Sequence, residues 1–353
     1  MKTDCCENKL IIPTGYMGSG SSAITDLICE FDGYEADNGT FEYVFLHCPD
    51  GLFDLEDKLL IGNNSMRSDE AIRSFEKIMY ELYSNKYWWV ANYKKRIGRE
   101  FWKYTKDFTE SLVQYESEAY WYMQERIDFL KFLKLGFRAL IRNVSRGKIV
   151  IKKPLEYKIM RTSFVTPEEF YEKAQKYINN ILKCMEIEKK NIILDQMLLP
   201  HNVYRAEKYF DDNMECFVVN RDPRDVFILN KYVWTRNGNP VPFPTDVKEF
   251  CGYYKRLRAI EKRCDNIHVH IIQFEDLIYK YDEKINQIID ILRLDETAHS
   301  KKKTMFNPQK SINNTQLFML NKYREEAKII ERELPEFLYD FPYINSTDVE
   351  KSF

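Results

Sequence analysis

The feature that most constrains the fold is an apolar segment followed at once by a glycine-rich turn and a helical pattern. The segment from Lys9 to Thr14 predicts a short buried strand. After the turn, apolar residues recur at helical spacing at Ala23, Ile24, Leu27 and Ile28. A strand, loop and helix in this order are typical of α/β proteins, in which the loop lies at the carboxyl edge of a parallel sheet.

Strands and helices alternate along most of the remaining chain. The further predicted strands are Phe41–His47 and segments near Lys148–Lys152, Asn191–Asp195, Cys216–Asn220 and Ile267–Phe274. Helices are predicted to begin near Pro167, Arg224 and Asp246. This alternation predicts an α/β, three-layer, P-loop-like fold with a mainly parallel central sheet. We expect residues 1–353 to form one such domain.

The segment from about residue 68 to 145 is helical in pattern and rich in aromatic residues. Its aromatic clusters are Tyr87-Trp88-Trp89, Phe101-Trp102 and Tyr120-Trp121-Tyr122. We interpret it as a helical, aromatic-rich insertion, most of whose rings form core between helices. Aromatic rings also stack on sugars and line lipid pockets, so the remainder are candidates to cover a substrate of either kind.

Composition excludes several classes of function. The 353 residues carry a formal net charge of −2, which does not favour nucleic acid as a partner but leaves room for a local basic cleft. The eight cysteines lack the paired spacing of a zinc site, so we expect no metal and a reducing compartment. The polar N-terminus and the lack of a long apolar segment predict a cytoplasmic protein with no transmembrane segment.

The turn from Gly15 to Ser22 has the spacing of a phosphate-binding loop, G-x-x-x-x-G-K-[S/T]. Backbone N–H groups in such a turn and the positive end of the following helix attract an anion. Ser21 stands where the lysine of a kinase would be, which argues against a working ATPase or kinase. The alternative is a Gly/Ser-rich turn without a ligand.

A second candidate site follows the predicted strand Cys216–Asn220. Arg221 comes directly after this strand and would face the crevice in which open α/β sheets bind ligands. Its planar guanidinium matches a phosphate. Pro223 suits the first turn of the next helix, whereas Arg224 and Asp225 are expected to cap it or to pair locally.

Four segments, in order along the chain, resemble the motifs of the sulfotransferase family that uses 3′-phosphoadenosine 5′-phosphosulfate (PAPS). Gly18-Ser19-Gly20-Ser21-Ser22 resembles the 5′-phosphosulfate loop (K/R)-S-G-(T/S)-(T/S), and Arg221–Asp225 resembles the 3′-phosphate motif R-(N/D)-P-(R/K)-D. Gln273–Leu277 is similar to a strand-ending Y/F-E-D-L, and Phe306–Asn314 to the F-x-P-x-x-S-x-x-N of bacterial members.

The resemblance implies transfer of a sulfuryl group from PAPS to an acceptor hydroxyl, with the bisphosphate PAP as product and no metal. The residues that it implies for binding the nucleotide are Gly18, Ser19, Gly20, Ser21, Ser22, Arg221, Lys310 and Ser311. The acceptor stays open between a glycan, a glycolipid and another hydroxyl compound.

Two positions depart from the family pattern. Gly18 stands at the loop Lys or Arg, so another cation has to replace it. The candidates are Lys310, Arg67 and the Lys301–Lys303 run. Leu229 stands where many members have a Ser that binds the 3′-phosphate, and Ser311 is the candidate to make that hydrogen bond.

Sulfuryl transfer to a hydroxyl needs a general base within hydrogen-bond reach of the acceptor. Glu42 ranks first because Thr40-Phe41-Glu42 is similar to the stretch that bears the glutamate base of heparan N-sulfotransferases. His47 ranks second. His201 ranks third because it follows a strand and a proline, as in cytosolic sulfotransferases. His268 and His270 alternate along a predicted strand and are expected to be structural.

Two other classes of function stay open. A P-loop kinase-like nucleotide-dependent enzyme would need Mg²⁺ and a substitute for the missing lysine. A nucleotide-binding module whose catalysis has lapsed would fit the absence of the cation at Gly18.

Overall fold

The structure is a computed structural model that describes residues 9–36, 41–118, 127–151, 159–185, 191–236, 238 and 240–344. The strands are β1 (Leu10–Gly15), β2 (Tyr34–Ala36), β3 (Tyr115–Ser117), β4 (Met160–Thr162), β5 (Asn191–Ile193), β6 (Met214–Asn220) and β7 (Val269–Gln273). The α-helices are α1 (Ser21–Ile28), α2 (Leu52–Leu60), α3 (Ser65–Ser84), α4 (Tyr93–Arg96), α5 (Glu100–Leu112), α6 (Phe129–Val144), α7 (Pro167–Met185), α8 (Ala206–Tyr209), α9 (Pro223–Ile228), α10 (Val247–Ala259), α11 (Asp276–Tyr279), α12 (Tyr281–Leu292), α13 (Pro308–Ser311) and α14 (Arg324–Glu333). A π-helical segment, Leu229–Trp234, continues α9.

The main sheet is parallel and has β1 at its centre. Among the described strands its order is β2-β5-β1-β6-β7, and every neighbouring pair is parallel. Alternate side chains of β1 enter two different apolar clusters: Ile12 packs with α3, α5 and α7, and Ile11 packs with α1 and α12. Helices therefore cover both faces of the sheet. This confirms the predicted three-layer α/β fold with a mainly parallel sheet.

The direction of the strands places several chain segments at one edge. Because β1, β5, β6 and β7 are parallel, the residues that follow them lie together at the carboxyl edge of the sheet. These residues are the loop after Gly15, Asp195, Arg221 and Phe274.

The predicted strand Phe41–His47 is wrong. This segment is buried but irregular, and its backbone groups are satisfied outside a sheet: the Val44 N–H donates to the Tyr93 hydroxyl at 3.0 Å, and the Cys48 N–H donates to the Val44 carbonyl at 2.8 Å. Burial alone gave it the apolar pattern of a strand. The edge strand of the sheet is β2 instead.

The strand predicted near Lys148–Lys152 is also wrong in its described part, which ends at Ile151. Ile149 and Val150 are exposed there and belong to no strand. Their branched side chains favour a strand, but no described strand pairs with them to form a ladder. The next strand is β4, which pairs with β3 in an antiparallel two-stranded sheet.

Helices α3 to α6 occupy the region that the sequence marked as an insertion. Several of its rings are core, as expected: Tyr93 and Phe101 are fully buried with centroids 5.0 Å apart, and Phe108 stacks on Tyr177 at 4.8 Å. Tyr87, in contrast, is 99% exposed. Tyr120-Trp121-Tyr122 lies outside the described residues, and the boundaries of the insertion stay a prediction. In the described ranges, no helix has both the length and the apolar character to cross a bilayer.

A buried carboxylate at the end of α1 anchors a late part of the chain. Glu30 accepts hydrogen bonds from the backbone N–H groups of Lys303, Met305 and Phe306 at 2.9–3.0 Å, and from His299 Nε2 at 2.8 Å. Its side chain is fully buried. A carboxylate with four donors is well compensated for the loss of water. Glu30 therefore fixes the segment 299–306 against the sheet.

A second buried carboxylate anchors the same part of the chain further on. Asp225, in α9, accepts the backbone N–H groups of Gln316 and Leu317, both at 2.8 Å. Burial, together with the neighbouring charge of Asp222, raises the pKa of Asp225 to about 7. Glu30 and Asp225 thus hold the two ends of the segment 299–317 beside the carboxyl edge of the sheet.

The Glu30→Gln variant tests this anchoring. The amide NH₂ cannot accept the N–H groups that the carboxylate binds, so buried donors lose their acceptor, at a cost of about 1–3 kcal/mol in the free energy of unfolding. Urea titration should show this loss. The matched control is Glu325→Gln, which removes the charge of an exposed residue paired with Lys328 and should change stability by less than about 0.5 kcal/mol. Equal midpoints for the two variants would contradict the anchoring role.

Candidate functional site

A cleft of about 660 Å³ opens at the carboxyl edge of the sheet. Its walls include the loop that follows β1, Arg221 after β6, and Ser311 and Asn314 from the late segment. This volume is in the usual range for sites that bind small molecules. The two candidate sites found in the sequence are therefore parts of one cleft.

The loop between β1 and α1 presents backbone groups to the cleft. Gly18 and Gly20 have φ angles of +73° and +91°, which favour glycine. Gly20 caps α1 without a side-chain hydrogen bond, so the first N–H groups of the helix remain available to a ligand. A Cβ on Gly20 would lie 2.8 Å from the Phe274 ring. Ser19 is buried within the turn, where its hydroxyl has no partner.

Trp234 lies against position 18, so a side chain there would require the half-exposed Trp234 ring to move. A Cβ on Gly18 would lie 2.9 Å from the Trp234 ring, which is closer than real Cβ atoms approach. The positive φ of Gly18 adds strain to any larger residue. Trp234 ends the π-helical segment and lines the cleft. Sequence patterns do not reveal this contact, since the two residues are far apart in the chain.

Arg221 joins the loop to the late segment. Its Nη1 donates to the Gly18 carbonyl at 3.4 Å, and its Nη2 donates to the Asn314 carbonyl. The guanidinium lies 4.4 Å from the centroid of the Phe274 ring. Its Nε is buried and has no partner, and burial lowers the pKa of the side chain. Arg221 is thus a buried cation whose two hydrogen bonds go to carbonyl groups, with three carboxyl groups near enough to favour its charged form.

The remaining residues of the Arg221–Asp225 motif make local contacts, and those of Arg224 agree with the local pairing expected for it. Asp222 accepts the backbone N–H of Arg224 at 2.9 Å and its Nη2 at 2.7 Å, and Arg224 Nη1 donates to Glu331 at 2.6 Å. The Asp222 N–H donates to Glu275 at 2.9 Å, and burial raises the pKa of Glu275 to about 8. These contacts fix the turn that carries Arg221.

Gln196 orients a hydroxyl of the loop. It has a φ of +58°, which is uncommon outside glycine. Its Nε2 donates to Ser21 Oγ at 3.0 Å, and its Oε1 accepts the Thr14 hydroxyl at 2.9 Å. Because Ser21 Oγ accepts this bond, its own hydrogen is left to donate to a ligand in the cleft. Gln196 lines the cleft and was missed in the sequence.

Three carboxyl groups also line the cleft: Asp26, Glu42 and Asp195. Burial is the main reason that the pKa of Asp195 is raised to about 6. The charge of Glu42 also raises this pKa, whereas the Thr25 hydroxyl, which donates to Asp195 at 2.5 Å, lowers it. Burial raises the pKa of Glu42 and of Asp26 as well. One side of the cleft therefore offers carboxyl groups that hold a proton more tightly than in water.

The three predicted bases have different positions. Glu42 lines the cleft, whereas Thr40 of its motif lies outside the described residues. His47 and His201 are not among the described residues that line it. His47 Nε2 donates to the Gln196 carbonyl at 2.7 Å, and His201 packs edge-on to Tyr16 at 6.0 Å. Burial lowers the pKa of both histidines.

The other two histidines on the predicted strand pair with the same carboxylate. His268 and His270 lie 3.2 and 2.7 Å from the two oxygens of Glu215, outside the cleft. Their position fits the structural role expected for them.

None of the cations suggested as replacements for the loop lysine reaches the described part of the cleft wall. Lys310 and Lys301–Lys303 are exposed, and Arg67 Nε donates to the Lys58 carbonyl at 3.0 Å. Among the described lining residues, Arg221 is the sole Lys or Arg. Ser311 does line the cleft together with Leu229.

Comparison with known proteins adds little to this geometry. No family model matches the chain, and no curated protein matches it in sequence. Among solved structures it is similar to the sulfotransferase domain from the Curacin biosynthetic pathway, at 12% identity, with a TM-score of 0.36 and coverage of 95% of this chain and 99% of that chain. An identity and a TM-score this low do not bear on function, which rests on the site itself.

The contact between Gly18 and Trp234 predicts a large effect of one methyl group. Gly18→Ala should lower the free energy of unfolding by about 2–4 kcal/mol, because it adds a clash with Trp234 to the cost of a positive φ. The control is Gly62→Ala: Gly62 has a φ of +62° with open space around it, so only the backbone cost of about 1 kcal/mol applies. Thermal unfolding measures both. In a Trp234→Ala background, the added cost of Gly18→Ala should fall to that of Gly62→Ala. A Gly18→Ala variant no less stable than Gly62→Ala in the unchanged chain would disprove the clash.

Proposed function

We propose that this chain is a sulfotransferase that moves a sulfuryl group from PAPS to a hydroxyl of an acceptor and releases PAP. The observation that carries this proposal is the meeting of the anion-binding loop and the buried Arg221 in one cleft. A nucleotide with phosphates on both its 5′ and 3′ positions needs two separate groups of donors, and these are the two that the cleft offers.

The residues present fit such a nucleotide. The N–H groups of the loop and the Ser21 hydroxyl would hold the 5′-phosphosulfate, while Arg221 and Ser311 would hold the 3′-phosphate. The unpartnered Nε of Arg221 supports this, because a buried donor without an acceptor is uncommon in a finished site. When bound, PAPS supplies a sulfuryl group that is already activated.

Because Gly18 provides no cation, other groups have to stabilise the negative charge on the leaving phosphate. The N–H groups at the start of α1 and the dipole of this helix would stabilise that charge. Ser21, which stands where the kinase lysine would be, disfavours the kinase-like alternative, because that lysine holds the β- and γ-phosphates of a triphosphate.

We infer that Asp195 takes the proton of the acceptor hydroxyl, with Glu42 as its neighbour in the cleft. Asp195 lies just beyond the end of β5, the strand next to β1. The Thr25 hydroxyl donates to one of its carboxylate oxygens and holds it in place. A base needs a pKa near the working pH, and burial moves that of Asp195 toward it. Glu42, the base favoured from sequence, remains the alternative.

The acceptor is proposed only as a class: a glycan, a glycolipid or another small compound with a hydroxyl group. No described residue of the 68–145 region lines the cleft, so the expected aromatic cover over the acceptor has no support among the described residues. A cytoplasmic location stays part of the proposal, since PAPS and reduced cysteines both fit that compartment.

Binding of PAP tests the donor site. The chain should bind adenosine 3′,5′-bisphosphate at least tenfold more tightly than AMP by titration calorimetry, because AMP lacks the phosphate that Arg221 would hold. Arg221→Ala should weaken PAP binding by about 10–100-fold. The control is Arg256→Ala on the exposed side of α10, which should change nothing.

Three results would favour the other classes of function. Equal affinity for PAP and AMP would argue against a sulfotransferase. Magnesium-dependent turnover of ATP would favour the kinase-like enzyme. Tight binding of PAPS without sulfation of any glycan, lipid or phenol in a broad panel would favour the lapsed module.

The pH dependence of turnover tests the base. Asp195 accepts a proton only when ionised, so kcat/KM should be constant above the pKa of about 6 and fall about tenfold per pH unit below it. Asp195→Asn should lower kcat by about 10²–10⁴-fold with unchanged PAP affinity. Glu42→Gln should keep activity and move the midpoint to lower pH, because it removes a nearby negative charge. An inactive Glu42→Gln beside an active Asp195→Asn would assign the base to Glu42.

A further inference from the structure

Helix α6 carries a wide apolar face that the described chain leaves uncovered. Phe129, Leu133, Phe137, Leu140 and Val144 recur every three or four residues, so they share one face of the helix. Between 50% and 77% of each of these side chains is exposed, and no residue of α6 is buried. Exposed apolar patches of this size mark sites of interaction in folded proteins.

The opposite face of α6 is basic. Lys131, Lys134, Arg138 and Arg142 are spaced by three or four residues and fall between the apolar positions. Over residues 127–151 there are six Lys and Arg and one acidic residue, Asp128, whose side chain caps the helix by accepting the Lys131 N–H at 2.7 Å. The whole chain has a net charge of −2, so this positive charge is concentrated locally.

We propose that α6 binds a bilayer surface that contains anionic lipids, lying flat in the interface. Its apolar face would enter the boundary between headgroups and acyl chains, and its Lys and Arg side chains would contact the lipid phosphates and carboxylates. At 16 residues the helix is about 24 Å long, shorter than the thickness of the hydrocarbon core, and its four basic residues exclude a spanning position. It binds the membrane without crossing it.

A lipid surface fits these observations better than a groove on another protein. The patch continues beyond the helix, where Ile149 and Val150 are 55% and 75% exposed and follow Arg146 and Lys148. A groove that binds a helix contacts the residues of that helix. A bilayer surface can also contact apolar and basic side chains of the non-helical segment that follows. The excess of one sign of charge also matches a surface of uniform negative charge.

This interaction is separate from the proposed catalysis. No described residue of 127–151 lines the cleft, so changes in α6 leave the nucleotide site intact. Failure of lipid binding and failure of sulfuryl transfer can therefore be told apart.

Co-sedimentation of the full chain with vesicles tests the proposal. The chain should sediment with phosphatidylcholine vesicles that contain phosphatidylserine, much less with phosphatidylcholine alone, and less as salt is raised. Phe137→Ser with Leu140→Ser should weaken binding at least tenfold, since both side chains would lose burial in lipid. Lys134→Gln with Arg142→Gln should weaken it about 25-fold, from roughly fivefold for each charge.

Two matched variants control for general surface effects. Tyr87→Ser with Ile267→Ser removes two apolar side chains that are 99% and 82% exposed elsewhere, and Lys301→Gln with Lys302→Gln removes two exposed charges. Both should sediment like the unchanged chain. The proposal is overturned if the α6 variants sediment equally well, or if the unchanged chain ignores phosphatidylserine vesicles. It is likewise overturned if Phe137→Ser with Leu140→Ser instead dissolves a dimer that binds no lipid, which would assign the apolar face to a second copy of this chain.

Discussion

The candidate site depends on one buried guanidinium. Arg221 bonds to a carbonyl of the loop after β1 and to a carbonyl of the late segment, so it connects parts of the chain that are about two hundred and about ninety residues away from it. A charge in such a position is stable only if polar groups surround it. Asp222, Asp225 and Glu275 lie close enough to favour its charged form. The same residues that make Arg221 tolerable in the interior also fix the walls of the cleft.

The sequence predicted those parts of the site that are determined locally. The loop from Gly15 to Ser22 and the position of Arg221 follow from glycine spacing and from the end of a strand, and both reach the cleft. Asp195 and Gln196 were missed because the predicted strand extended to Asp195, whereas β5 ends at Ile193 and both residues lie in the cleft. Lys310 stays a prediction: its side chain is exposed in α13, and the sequence does not show that exposure because it depends on tertiary contacts.

For the fold as well, the sequence predicted the features that follow from local patterns and missed those that depend on distant contacts. The alternation of strands and helices predicted a parallel sheet because it follows from covering both faces of the sheet with helices. Phe41–His47 looked like a strand because every strand in such a sheet is apolar, yet its N–H groups found partners in Tyr93 and in a turn. Burial is visible in a sequence, whereas the hydrogen-bond partner that satisfies a buried backbone group is not.

The anchoring of the late segment by Glu30 and Asp225 has a consequence for biosynthesis. The sheet strands up to Asn220 can form while the ribosome is still adding residues, because domains begin to fold from the N-terminal side. The wall that contains Ser311 and Asn314 forms only after Gln316 and Leu317 have been synthesised and their N–H groups can donate to Asp225. A nascent chain therefore has a half-open cleft during the interval between the synthesis of Arg221 and that of Leu317, and a ligand that needs both walls can stabilise only the nearly finished polypeptide.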